Sequence, residues 1–518
     1  IQGGVCAVGR DQPQPIQTGL QPPPGPFSSR QPPEEALQIQ PGTVKVLPGA
    51  LTHQDRLDLV TSQGDACVGE VAPLPAERCG DGVDDNCDGR VDEGCAAIAM
   101  RPWSGVVTRQ RYAVTADRHA YARAADGLVV GARVSVRRGA VELARATTDI
   151  AGRYTVSVPS VVTSDDTLVV EAGALDARGA WRFAVARDPG RKESPLVPFG
   201  NPVRPEVWSV AWRLSDVIAG APTRVADDGA ARAFALFEDE RLVVAAAEGT
   251  YGSTAPPLLT WYWPGANWSC GSCFGPRAVD TLGQSFPSQL FILGAGDAEH
   301  VWGRAVAAHE LGHWVMSTWG TSPREGGAHY LGVLSPPGLA WSEGWATWFG
   351  SSLRNDPVQV VTTSGVTFWT DIEARAANLD DMAILWTRPS PSGGLLQWLD
   401  ENEVSAMLWS AARNLTPRVL YGALASRRMN SPPFARGYLN PLGRNVPVLP
   451  DFFDALLCGG ASRAAVETAA SVYPYDVAGA LCEYEAPITV AWAHRDGDAV
   501  ARVVCNAPLP APLEAVVR

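Results

Sequence analysis

From residue 105 to 188 apolar and polar positions alternate in short runs separated by Gly and Asp turns. Val129-Val130 and residues 133–136, 154–158 and 167–170 carry this pattern. It predicts half-buried β-strands. A Pro/Gly-rich connection at 188–205 ends the pattern, and a helical period then takes over at 228–247. Apolar strands are expected at 258–263 and 289–293, followed by a turn at 294–297. Asp297 is placed to N-cap the next helix. Further helical patterns occupy 339–353, 403–414, 450–457 and 461–472, and alternation returns at 488–492 and 499–504. Near the start, short strand-like pieces at 44–47 and 57–60 follow a proline-rich stretch, 12–33, of polyproline II character. No internal repeat is visible.

These changes of pattern divide the chain into five parts. They are a Pro-rich extended segment with short strands (1–66), a Cys/Asp-rich loop (67–99), a β-module (100–200), a long mixed region (201–485) and a terminal β-segment (486–518). A length of 518 residues is more than one ordinary domain holds, and 46% hydrophobic residues can fill large cores. Nine of the 18 tryptophans fall from Trp261 to Trp348, which suits either an aromatic-lined cleft or a large core. The formal charge of −13 argues against nucleic acid and anionic membrane as partners, because both need a basic face. No apolar run approaches the ~18–20 residues of a membrane span. Ten cysteines, several closely spaced, point to disulfides and an oxidising compartment. Export is thus expected from the cysteines and not from a leader.

Candidate chemistry is concentrated at His309-Glu310-Leu311-Gly312-His313. Residues four apart share a helix face, so both histidines can reach one ion. Glu310 lies about 100° round from His309, where it can contact a metal-bound water without ligating the metal. With seven histidines in the chain, a chance match is expected in roughly fewer than one such chain in a hundred. The plain alternative is a helix with two surface histidines. Val301, Ala305, Val306 and Ala308 supply a small apolar face, and Gly312 allows a neighbouring backbone to approach.

A catalytic zinc takes three protein ligands and an open position. The metzincin continuation fails, since Met316 stands at its glycine and Trp319 at its third histidine. The stretch "LAWSEGWATWFG" (339–350) instead resembles the second helix of gluzincin peptidases. That resemblance implies His309, His313 and Glu343 as zinc ligands and Glu310 as general base. The sequence departs from the thermolysin-like form at Thr347, where an aspartate often orients the first histidine, so the partner is expected elsewhere. For the oxyanion donor, His329, Tyr330, Tyr421 and Tyr438 are candidates, with the His329/Tyr330 pair favoured for its place between the two ligand helices. The segment before the zinc helix also looks like exported bacterial proteins with H-E-x-G-H followed by S-E-G-x-A.

"CGDGVDDNCDGRVDEGC" (79–95) sets Asp84, Asn86, Asp88 and Asp92 at offsets 0, 2, 4 and 8, with Gly89 after Asp88. Alternate oxygen ligands with a turn glycine suit calcium. Cys95 at the twelfth place excludes an EF-hand, so Glu93 or Asp81, and the carbonyl of Arg90, are expected to complete the set. The loop resembles a short Cys/Asp-rich metal-binding motif of exported bacterial proteins. Cys67, Cys79, Cys87 and Cys95 are expected to pair among themselves, Cys270 with Cys273, and Cys458 with Cys482; Cys6 and Cys505 stay unassigned.

The segment "GARVSVRRGAVELARATTDIAGRYTVSVP" (131–159) resembles the carboxypeptidase-regulatory-like β-sandwich, which implies a spacer without chemistry. The expected fold is therefore multidomain, with β-sandwich modules and an α+β, mainly helical zincin-like catalytic domain. The expected function is a secreted zinc endopeptidase acting on protein or peptide, with Zn2+ and Ca2+ as ions. The competing reading is a surface or fibre-forming structural protein, self-assembling at the cell surface, that carries a peptidase-like domain. A calcium-dependent binding protein is a third reading.

Overall fold

The computed structural model describes residues 98–327, 329, 332–379, 382–383 and 386–482, with strands at 489–495, 498–504 and 513–516. The chain divides into two units, Ile1–Gln63 and Gly64–Arg518, and every described residue belongs to the second. The Pro-rich segment, the Cys/Asp-rich loop and Tyr330 lie outside the described residues. The described part is mixed α/β, with several sheets and nine α-helices among the described residues.

The alternating segment forms antiparallel strands. Arg133–Arg138 and Val141–Thr147 make a hairpin. Arg153–Pro159 turns away to pair with Met100–Val106. The turn before it is shaped by Asp149, whose carboxylate accepts from the Ala151 and Arg153 amides, and by Gly152 at φ 68°. Tyr154, Val156 and Val158 alternate into a core shared with Val134, Val136, Leu168 and Val170. Val129-Val130 falls just after a short strand, Gly127–Leu128.

The boundary expected at residue 200 cuts through both larger sheets. Ser209–Arg213 pairs with Asp166–Glu171 and completes the sheet of the β-module. In the other direction, β1 (Trp181–Arg187) leaves that module and lies parallel to β2 (Leu258–Trp261). Next comes β4 (Ser288–Phe291), parallel to β2, and then β3 (Cys273–Gly275), antiparallel on the edge. Alternation shows that a segment is a strand, and not which distant strand it will pair with.

Helix α1 (Ala230–Tyr251) packs on this sheet, with Phe237 stacked on Phe183 of β1 at 5.5 Å between ring centroids. It ends where Gly252 turns left-handed at φ 66°. The next three helices, α2 (Ala305–Trp319), α3 (Pro337–Arg354) and α4 (Glu401–Leu415), form the helical layer that carries the site. Asp400 caps α4 by accepting from the Asn402 amide at 3.0 Å. Asp297 does not cap α2. Its carbonyl accepts from Gly365, and the turn before α2 is closed by Glu299, whose carboxylate accepts from the Val301 and Trp302 amides. The cap position itself is Arg304, left-handed at φ 58°.

Close helix contact depends on glycine. A Cβ on Gly312 of α2 would lie 2.9 Å from the Ala346 Cα of α3, and one on Gly350 of α3 would lie 3.2 Å from the His309 amide nitrogen. Trp314, Trp341, Trp345 and Trp348 are wholly buried around this contact, so the tryptophan cluster is core and not cleft lining. Phe452 of α5 (Leu449–Cys458) packs on Trp341 and Trp345. The Cys270–Cys273 and Cys458–Cys482 disulfides are both formed as expected. The terminal strands expected at 488–492 and 499–504 are present as an antiparallel pair, Thr489–Arg495 and Asp498–Val504. Among the described residues no helix is long and apolar enough to cross a membrane.

Candidate metal centre

His309 and His313 stand one turn apart on α2 and project towards α3, where Glu343 meets them. The His309 Nε2 lies 3.1 Å from the His313 Nε2 and 3.1 Å from the Glu343 Oε2; the His313 Nε2 lies 3.0 Å from the same oxygen. Three ligand-type atoms thus form a nearly equilateral triangle. Donors held by one tetrahedral zinc at 2.0–2.1 Å would be about 3.3 Å apart, so the triangle fits such an ion with little adjustment. The other ring nitrogens are already engaged: His309 Nδ1 by the Thr347 hydroxyl at 3.0 Å, His313 Nδ1 by the Ser342 hydroxyl at 3.3 Å. If each Nδ1 carries the ring proton, both Nε2 lone pairs face a carboxylate, and a cation reconciles them.

Burial opposes ionisation of Glu343, yet His313 and His309 outweigh it and hold the carboxyl well below its ordinary range. Glu310 is also buried, and there desolvation wins: its pKa is pushed up to about 7, with Glu343 adding to the rise. His309, His329 and the Phe274 amide of edge strand β3 pull the other way. A carboxyl beside a metal site with a pKa near neutrality can take up and release a proton at little cost.

His329 lies in the connection between α2 and α3. Its Nδ1 is 2.8 Å from the Glu401 carboxylate, at the start of α4, and its Nε2 is 3.9 Å from the Glu343 Oε2. The hydrogen bond to Glu401 comes first among the causes that raise its pKa to about 9. Its Nε2 is the ring nitrogen on the Glu343 side. Tyr330 lies outside the described residues. Tyr421 is packed against Trp348 and Phe349, and the Tyr438 hydroxyl donates to Glu325.

Three residues of the site were not anticipated. Thr347 itself holds His309, correcting the expectation that the partner lies elsewhere: its hydroxyl takes the role that a carboxylate would have filled. Ser342 and Glu401 carry no signal along the chain, since Ser342 acts across a helix contact and Glu401 on a residue 72 positions away. Gln359 then ties the C-terminal half of α3 to the adjacent strand, donating to the Thr347 carbonyl at 3.0 Å.

Comparison with known families gives one short match. The family described as "Putative metal-binding motif" (Cu-binding MopE) matches residues 70–93. That span contains Asp84, Asn86, Asp88, Arg90, Asp92 and Glu93, all outside the described residues. No curated protein matches the chain. The chain therefore offers a metal-binding motif at 70–93 and a His/Glu cluster fit for a metal at His309, His313 and Glu343.

Proposed function

We propose that this chain is a zinc-dependent peptidase of gluzincin type, exported and built with a β-sandwich spacer beside a zincin-like domain. One observation carries the reading: Glu310, a buried carboxyl next to His309 on α2, interacts electrostatically with His309 and Glu343 at the cluster of three converging ligand atoms. A purely structural metal site has no use for it. Zinc bound there would supply a water of lowered pKa and polarise the scissile carbonyl. With zinc held by His309, His313 and Glu343, Glu310 would be the residue to accept a proton there and to return it to the departing amine. His329, hydrogen-bonded to Glu401 through Nδ1, would offer Nε2–H to the carbonyl oxygen that gains charge in the reaction. The amide of Phe274 bonds Glu310, and the Thr347 and Ser342 hydroxyls hold the two ligand histidines.

The test pairs zinc content with cleavage of an unfolded protein, for wild type and Glu310→Gln. Both should bind one zinc per chain, and the variant should lose about 10²–10⁴-fold in rate. A wild type that holds zinc and cleaves nothing across a broad substrate set would sink the peptidase reading. One that binds no zinc would sink the metal reading as well.

For the loop at 84–93 we propose calcium. The donors Asp84, Asn86, Asp88, Asp92 and Glu93 and the Arg90 carbonyl are hard oxygens, and no imidazole or thioether stands among them to favour copper. Calorimetric titration with Ca2+ and with Cu2+ decides it, and tighter copper binding would reverse the assignment.

A further inference from the structure

Ser342 and Thr347 occupy one helix with Glu343, one residue before it and four after. Both are buried, each about 6% exposed. A buried hydroxyl without a partner is costly, so such groups are placed where something binds them. Among the described residues, the hydrogen-bond partner of the Thr347 hydroxyl is His309 Nδ1, at 3.0 Å. That of the Ser342 hydroxyl is His313 Nδ1, at 3.3 Å. Neither hydroxyl bonds back to its own helix, the usual outlet for Ser and Thr in a helix interior.

We infer that Thr347 and Ser342 are positioning residues that fix the ring orientation and tautomer of the two histidines, so that α3 supplies the third ligand and both tethers. This rests on the metal reading of His309, His313 and Glu343. A hydroxyl accepting from Nδ1–H leaves the proton off Nε2, the nitrogen that must offer its lone pair. Both tethers are neutral. Carboxylate partners would add charge and raise ligand basicity; hydroxyls orient the rings without doing so. The two tethers are also unequal in length, which ranks them: Thr347 holds its ring more firmly than Ser342.

The experiment measures the zinc dissociation constant by chelator competition, and the visible spectrum after cobalt substitution, in the full chain. Thr347→Val keeps shape and loses the hydroxyl, and should weaken zinc about 10–100-fold. Ser342→Ala should weaken it by less. Thr347→Ser restores the hydroxyl and should restore both affinity and spectrum. Thermal melting of the apo proteins shows whether each variant is folded. A folded Thr347→Val that binds zinc like wild type overturns the proposal. So does a Thr347→Ser that fails as badly as Thr347→Val, because packing and not the hydroxyl would then matter. A wild type that binds no zinc overturns the metal reading instead, which the same titration shows separately.

Discussion

Among the buried acids of the helical part, two neighbouring pairs differ in their surroundings. Glu310 and Glu343 sit where α2 meets α3, among three histidines and the β3 edge. Asp239 and Glu240 sit on α1, each about 1% exposed. Asp239 has Arg304 on one oxygen, while its other oxygen is buried without a partner among the described residues. Among the described residues neither oxygen of Glu240 has a partner within ordinary hydrogen-bond distance, although the Thr260 hydroxyl lies near enough to favour the charged form. At the site, buried acids are matched by groups that converge on them. On α1 burial is barely compensated, and Glu240 avoids its penalty by staying protonated. Burial alone therefore does not mark a functional acid; convergence does.

The largest effect that tests this contrast is the pH dependence set by Glu240. Desolvation raises its folded pKa from 4.5 to about 8. Between those values the folded state holds a proton that the unfolded state has lost, so stability falls as pH rises through the window. Glu240→Gln removes the titration. Relative to wild type it should be more stable at pH 8, by on the order of 4 kcal/mol, and the advantage should vanish near pH 4. Unfolding midpoints for both proteins at the two pH values check this. Parallel pH profiles would mean that Glu240 is not the buried proton holder.

Arg304→Met comes next. It strips Asp239 of its ion pair at the left-handed residue where α2 begins. A loss of roughly 3 kcal/mol is expected, the low end for breaking a buried pair, because the Arg304 side chain is partly exposed. Denaturant unfolding measures it. Zinc affinity should change far less than stability, since none of the three ligands is touched. If zinc affinity falls in step, the two acid regions are one unit and the contrast fails.

What the sequence made legible follows the same division. His309, Glu310 and His313 are readable because one helix carries all three at fixed spacing, so periodicity alone puts them together. Glu343 lies on a different helix and was reachable only through resemblance. The tethers Thr347 and Ser342 act across a contact between helices, and Glu401 holds His329 of the α2–α3 connection, which no local pattern reports. For the same reason residue 200 looked like a boundary: the partners of Trp181–Arg187 and Ser209–Arg213 are set by pairing with strands far along the chain. Asp297 was a sound cap by residue type, but Glu299 two residues later bonds the turn amides first.

The smallest effect separates the two regions by sign. Glycine inside a helix usually costs about 0.5–1 kcal/mol relative to alanine, so replacing it should stabilise wherever there is room. Gly249 near the end of α1 has nothing within 4 Å of the added Cβ, and Gly249→Ala should gain about that much. Gly312 on α2 has no such room. Its added Cβ would meet the Ala346 Cα at 2.9 Å, the Ala346 carbonyl at 3.1 Å and the Phe349 Cβ at 3.2 Å. Two of those contacts are backbone, which yields only if α2 and α3 move apart. Overpacking of this kind costs about 1–3 kcal/mol and outweighs the propensity gain. The movement would also draw His313 Nε2 away from the Glu343 Oε2, now 3.0 Å distant, so Gly312→Ala should weaken zinc as well as stability. Melting temperature and chelator competition on both variants read the two consequences. A Gly312→Ala protein as stable and as tight for zinc as wild type would show that the helix contact has slack, and that the ligand triangle is not held by backbone contact.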